Sequence, residues 1–267
     1  MYVNEKTGSD TDICGTSTLP CKSLRMGVHR VNNSGTLHIN GTVHVKQTIS
    51  LMKSISIRGL NNTNATILPA DEGRRVGGEY AFLPITRVWN VQVEFSSLLF
   101  VGIGLIRTER YRDDDCPNKL TYHIRNCTFY NSKHTLHIPC PASFVIEDTL
   151  FSKIDSSIFY NKVILGKPSS GLIRNTVFRN TRRTTATLGS LTIQSSIFDS
   201  VSQLKFEGWS KNTQESKLDI TTTLFRGSLL VITKGSKLVI TNTIFKGMFI
   251  MFTFEILTIV PTFDFIF

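Results

Sequence analysis

A short phrase closed by phenylalanine returns along this chain at intervals of 20 to 29 residues, and it narrows the possible folds more than any other feature. It reads Ser97-Leu98-Leu99-Phe100, Cys127-Thr128-Phe129, Thr149-Leu150-Phe151, Thr176-Val177-Phe178, Ser196-Ile197-Phe198, Thr223-Leu224-Phe225 and Thr243-Ile244-Phe245. An alternating apolar stretch precedes most copies, such as Leu191-Thr192-Ile193 and Leu238-Val239-Ile240. Periods of this length belong to solenoids, whose units cannot bury an apolar face alone and stack to form a continuous core. A leucine-rich horseshoe needs a Leu-x-x-Leu-x-Leu frame that is absent, and propeller blades need about 40 to 50 residues. The expected fold is therefore all-β, a right-handed parallel β-helix with a short N-terminal capping helix. At about 4.8 Å per coil, roughly nine or ten coils give a rod of about 45 Å. Phe100, Phe129, Phe151, Phe178, Phe198, Phe225 and Phe245 are its expected internal stack. Asn131, Asn161, Asn180, Gly227 and Gly247 follow the aromatic by two residues, a place for left-handed turns and for coil-to-coil amide ladders.

Residues 1–35 form the expected cap. Leu24, Val28 and Val31 recur at helical spacing, which predicts a helix from about Lys22 to Val31 with Gly35 as its stop. Such a helix would cover the open end of a solenoid. Residues 36–247 read as coils, with period-two runs such as Leu37-His38-Ile39, Val43-His44-Val45, Ile49-Ser50-Leu51 and Ile55-Ser56-Ile57, which place His38 and His44 outward. The pattern breaks near 69–90 and 106–119, which read as exposed insertions. The tail, 248–267, approaches the apolar length of a membrane span, but Glu255, Pro261 and Asp264 interrupt it.

The formal charge is +10, which admits an anionic partner, but the Lys and Arg are scattered along a solvated face. Nucleic acid has only this charge in its favour, since the aromatics fall at core positions, and it is not an expected partner. Cys14 and Cys21 lie close together in a turn-rich loop and suit a local disulfide, while Cys116, Cys127 and Cys140 form a second group. No pair has zinc-site spacing. An oxidising compartment is expected, and Asn32, Asn40, Asn61, Asn64 and Asn126 begin sequons for glycosylation there. The first residues carry no signal peptide, so an incomplete N-terminus is expected.

The opening Tyr2-Val3-Asn4, Gly8-Ser9-Asp10, Cys14-Gly15 and Pro20-Cys21-Lys22-Ser23-Leu24 resembles the start of pectin-lyase-like β-helix proteins. It is similar to uncharacterised secreted animal proteins of that kind and, more distantly, to chlamydial polymorphic outer-membrane proteins. The repeated Thr-x-Phe phrase resembles their coil motif. Enzymes of that fold include polygalacturonases, pectate lyases and pectin methylesterases, and the resemblance implies carbohydrate chemistry as one outcome. Their Asn-Thr-Asp, Asp-Asp, Gly-His-Gly and Arg-Ile-Lys motifs are not present as a set. Asp113-Asp114-Asp115 is the only acidic run and reads as a solvated loop, with calcium or substrate contact as the sharper alternative. Asp148, Asp155, Asp199 and Asp219 do not align into a site. His134 and His137 have spacing three, which does not share a strand face. No catalytic, metal or cofactor residues are assigned.

Three functions are expected in order: a non-catalytic extracellular or cell-surface β-helix that binds polysaccharide or a cell-surface protein; a polysaccharide lyase or glycoside hydrolase on the same scaffold; and a fragment without a function of its own.

Overall fold

The computed structural model of the chain describes residues 1–60, 65–70, 80–84, 91–107, 120–133, 135–137, 142–155, 170–187, 189–207, 216–233, 236–247, 249–253 and 263–266. Its strands pair in parallel throughout and form three sheets that wrap a single apolar core. Ten strands, from Tyr2–Val3 and Gly35–Ile39 to Ser216–Thr221 and Ser236–Thr241, make the first sheet. The second has twelve, from Thr42–Val45 to Phe263–Ile266, and contains every copy of the phenylalanine phrase. The third joins Ile49–Leu51, Tyr80–Pro84, Gly104–Arg107 and Leu136–His137. Farther along, the second sheet lengthens into Val177–Thr187 and Ile197–Glu207, whose distal part pairs with Leu229–Thr233 and then Phe249–Thr253. The chain is thus a parallel β-helix.

Alternation fixes which side chains point in. On the first sheet Leu37, Ile57, Phe95, Ile124, Ile146, Ile173, Ile193, Ile220 and Ile240 stand in one register row, all buried. On the second sheet Phe100, Phe129, Phe151, Phe178, Phe198, Phe225 and Phe245 form the matching row. Their ring centroids lie 4.6–5.3 Å apart and their planes are 3–12° from parallel. That spacing is the inter-strand distance itself, so identical residues at identical register stack without adjusting the backbone.

The residues beside each phenylalanine have an unexpected orientation. Thr149, Thr176, Ser196, Thr223 and Thr243 are buried, while Leu150, Val177, Ile197, Leu224 and Ile244 lie on the outer surface. Each inward hydroxyl donates to the carbonyl two residues earlier at 2.7–3.0 Å, for example Thr176 to Arg174 and Thr223 to Thr221. Several also accept a backbone N–H from the preceding coil, as Ser196 does from Thr176. The chain turns sharply here, through left-handed residues such as Ser97, Asn126, Asp148, Asn175 and Ser195, and a short hydroxyl satisfies the backbone groups that the turn strips from the ladder. Amide ladders were expected at the later turn, where Asn131, Asn180, Gly227 and Gly247 do adopt positive φ. Side-chain links fall instead at this earlier turn, where Asn126 donates to Ser97 and Asn175 to Asp148, both at 3.2 Å. There a one-residue corner holds polar side chains of neighbouring coils in register.

The cap helix spans Leu24–Arg30 with Ser23 as N-cap, and Leu24 and Val28 face the core. It ends at Val31, and Gly35 opens the next strand rather than stopping the helix. The stretch 69–90, expected as an exposed insertion, contains the strand Tyr80–Pro84, with Ala81 and Phe82 fully buried, because the third wall needs apolar residues here. In the tail, Phe249–Thr253 and Phe263–Ile266 continue the sheets, and Phe265 takes the register place after Phe245. No helix among the described residues is long and apolar enough to cross a membrane.

Candidate functional site

With the inward phenylalanine and isoleucine rows filling the core, chemistry must sit on outward positions. The first sheet carries the densest set. One outward row contains His38, Arg58, Ser96, Arg125, Glu147 and Arg174 at consecutive register places. The adjacent outward row, two residues earlier in each strand, contains Ser56, Glu94 and His123. The irregular coil lengths put these residues 20 to 40 positions apart in the chain, yet parallel register sets them side by side.

Two carboxylates organise the cluster. Glu94 accepts from Nη2 of Arg58 through both carboxylate oxygens at 3.1 Å, and the Ser56 hydroxyl bridges the two residues, accepting from Nε of Arg58 at 2.9 Å and donating to Glu94 at 3.2 Å. Arg125 approaches the same carboxylate from the other side at 3.8 Å. Glu147 holds Arg174 at 2.5 Å and lies 3.5 Å from Nε2 of His123. That nitrogen is buried and has no hydrogen-bond partner. The carboxylates are largely covered, at 19% and 13% side-chain exposure, whereas the three arginines remain 43–47% exposed. The carboxylates anchor the guanidinium groups themselves, while each arginine side chain stays partly exposed along the sheet face. Farther along the sheet Lys217 pairs with Asp219 at 2.7 Å, and Lys237 stands exposed in register with Lys217.

This geometry does not suit glycoside hydrolysis. Glu94 and Glu147 are two strands apart and offset by two residues, which places their Cα atoms about 12 Å apart, and each carboxylate is turned to its own arginine. Retaining hydrolases need roughly 5.5 Å between carboxyl groups and inverting ones about 6.5–9.5 Å. Both carboxylates are also engaged by arginine. Among the described residues no group of three His, Cys, Asp or Glu side chains could hold a metal ion.

The other candidates separate. Cys14 and Cys21 form a disulfide that ties the cap loop beside Tyr2–Val3. Cys127 is a buried free thiol, and burial pushes its pKa up to about 12. Asn32 and Asn126 are exposed and Asn40 is half-buried at the first coil's corner; Asn61, Asn64, Cys116, Cys140, His134 and Asp113–Asp115 lie outside the described residues. Asp148 sits in a corner turn, Asp199 pairs with Arg179, and Asp155 with Arg182. His38 stacks on Tyr2 at 5.0 Å, and His44 pairs with Glu5 at 3.0 Å. Glu94 and Glu147 escaped the sequence reading. Their signal is the outward place in an alternating strand, as in Val93-Glu94-Phe95 and Ile146-Glu147.

No family model matches the chain, and no curated protein matches it. Among solved structures it is similar to a mutant of AlyGC, an alginate lyase of the PL6 family, with 15% sequence identity and a TM-score of 0.69. The match covers 100% of this chain and 39% of that one, so the chain spans well under half the length of that enzyme. At this identity the likeness establishes the architecture, and the class defined is that of parallel β-helix proteins.

Proposed function

We propose that this chain is a non-catalytic extracellular β-helix that binds an acidic polysaccharide along the outer face of its first sheet. The observation that carries this reading is the arginine row. Arg58, Arg125 and Arg174 share one register line, each two strands from the next, or about 9.6 Å. Planar guanidinium forks at a regular interval suit the repeating carboxylates or sulfates of an extended polymer. Five cations on this face, counting Lys217 and Lys237, outnumber the carboxylates Glu94, Glu147 and Asp219. The Cys14–Cys21 disulfide supports an oxidising, extracellular setting.

A second reading, a polysaccharide lyase, draws on one observation. His123 sets its buried Nε2 3.5 Å from Glu147, which holds Arg174, and an imidazole turned outward from there could take a proton from a uronate whose carboxylate an arginine neutralises. An array of uronate, sulfated and neutral polysaccharides, run alongside an assay for unsaturated products, tests both. Retention of acidic polymers without turnover is expected, with at least a tenfold loss when Arg58, Arg125 and Arg174 are changed together to Gln. Retention indifferent to that variant refutes the arginine row. Product formation abolished by His123→Ala establishes the lyase reading instead.

A further inference from the structure

A separate basic groove lies at the end of the rod, between the cap helix and the first coil. Two adjoining hollows of about 530 and 460 Å³ share Arg25, Gln47 and Ile49, so they form one trough in the size range of small-ligand sites. Its carboxylates are already engaged. Asp10 accepts the backbone N–H groups of Lys22 and Ser23, both at 2.9 Å, and Glu5 accepts the backbone N–H of His44 at 2.6 Å and contacts its ring. Lys53 donates to the carbonyls of His29 and Val31, which fastens the end of the helix. What remains are Lys22, Arg25 and Lys46. All three are exposed, and none has an ion-pair partner among the described residues.

We propose that this groove is a second binding site, which takes a short acidic oligosaccharide through its carboxylate or sulfate groups. Three unpaired cations around a trough floored by Val45 and Ile49 supply the charge, and Gln47 and Ser50 supply neutral hydrogen bonds for hydroxyls. Among the described residues no Phe, Tyr or Trp lines the trough, so these offer no aromatic platform for stacking nucleic-acid bases. A peptide adding as a strand would need the free edges of Thr42–Val45 and Ile49–Leu51, and the cap helix packs against both. The site lies at the end of the rod, away from the arginine row, and does not depend on that row binding a polymer.

Calorimetric titration of the full chain with three tetrasaccharides tests the proposal: a uronate, a sulfated sugar and a neutral one. Either acidic sugar should bind, the arm that responds naming the charged group, and the neutral one should not. In an Arg58→Gln, Arg125→Gln, Arg174→Gln background, where the sheet face no longer contributes, an acidic sugar should still bind, and changing Lys22, Arg25 and Lys46 together to Gln should weaken that binding at least tenfold. Thermal melting of each variant confirms folding, and these exposed positions leave the core untouched. Undiminished binding in the groove variant, equal binding of the neutral sugar, or absence of binding by both acidic sugars overturns the site. Loss in the sheet variant alone transfers the ligand to the arginine row and overturns it as well.

Discussion

Replacing Phe178 tests whether stacked rings hold the rod together. Phe178 is fully buried, with Phe151 at 4.9 Å on one side and Phe198 at 4.6 Å on the other, both nearly parallel to it. Truncating a core phenylalanine to alanine costs about 3–5 kcal/mol. Each stacked pair is worth about 0.5–1.5 kcal/mol beyond burial. The site sits between two coils that cannot collapse toward each other without breaking strand register, so Phe178→Ala should fall near the top of that range, about 4–5 kcal/mol. Phe178→Leu keeps apolar volume and should lose about 1–2 kcal/mol. A double-mutant cycle of Phe178→Leu with Phe198→Leu then isolates the ring-ring coupling at about 0.5–1.5 kcal/mol. Phe178→Asp places an unpaired charge in the row and should abolish folding. Urea unfolding followed by circular dichroism supplies the free energies. A loss below about 1 kcal/mol for Phe178→Ala, or a soluble folded Phe178→Asp protein, would refute the internal stack.

Cys127 offers a pH test. Its folded pKa, raised by burial to about 12, lies above the ordinary value of 9.0, so its contribution to stability is complete below pH 9 and is lost as pH rises toward 12. The slope from this group is about 1.4 kcal/mol per pH unit over that window, and Cys127→Ala should remove it from the alkaline limb of the stability curve. In a Cys116→Ser, Cys140→Ser background, iodoacetamide at pH 8 should leave the folded thiol intact; rapid native alkylation would contradict its burial. Changing Cys14 and Cys21 to Ser should cost about 2–3 kcal/mol for so short a loop. Because coils touch only their neighbours, hydrogen exchange should quicken in Tyr2–Val3 and Leu24–Arg30 and stay unchanged at the central coils; uniform quickening would show that the rod unfolds as one unit.

The core was legible because a solenoid writes its stacking period directly into the chain, and the seven phenylalanines announce one wall of it. The direction of the residues beside them was not. Thr176-Val177-Phe178 places two apolar residues next to each other, and hydropathy alone would bury Val177 and expose Thr176. The structure does the reverse, since the corner turn strands backbone groups that only a short hydroxyl reaches. The outer cluster was harder still. Arg58, Glu94, Arg125 and Glu147 belong to different coils of unequal length, so no fixed spacing links them. Their adjacency follows from strand register, which loop lengths conceal. The groove was hidden for a similar reason: Lys22 and Arg25 belong to the cap and Lys46 to the first coil, and only the packing of the helix on Thr42–Val45 and Ile49–Leu51 brings them together.

The parallel register has a consequence for how such a molecule can change over generations. Phe178 and Phe198 are twenty residues apart, and the segment Thr176–Ser195 is one complete slice with an equivalent corner at either end. Excising it joins Asn175 to Ser196, sets Phe198 against Phe151, and shortens the rod by about 4.8 Å. Duplicating it lengthens the rod by the same step. Molecular length is therefore a quantised and separately heritable property here, and a lineage could match its reach to a partner by copying slices while the surviving interfaces keep their chemistry.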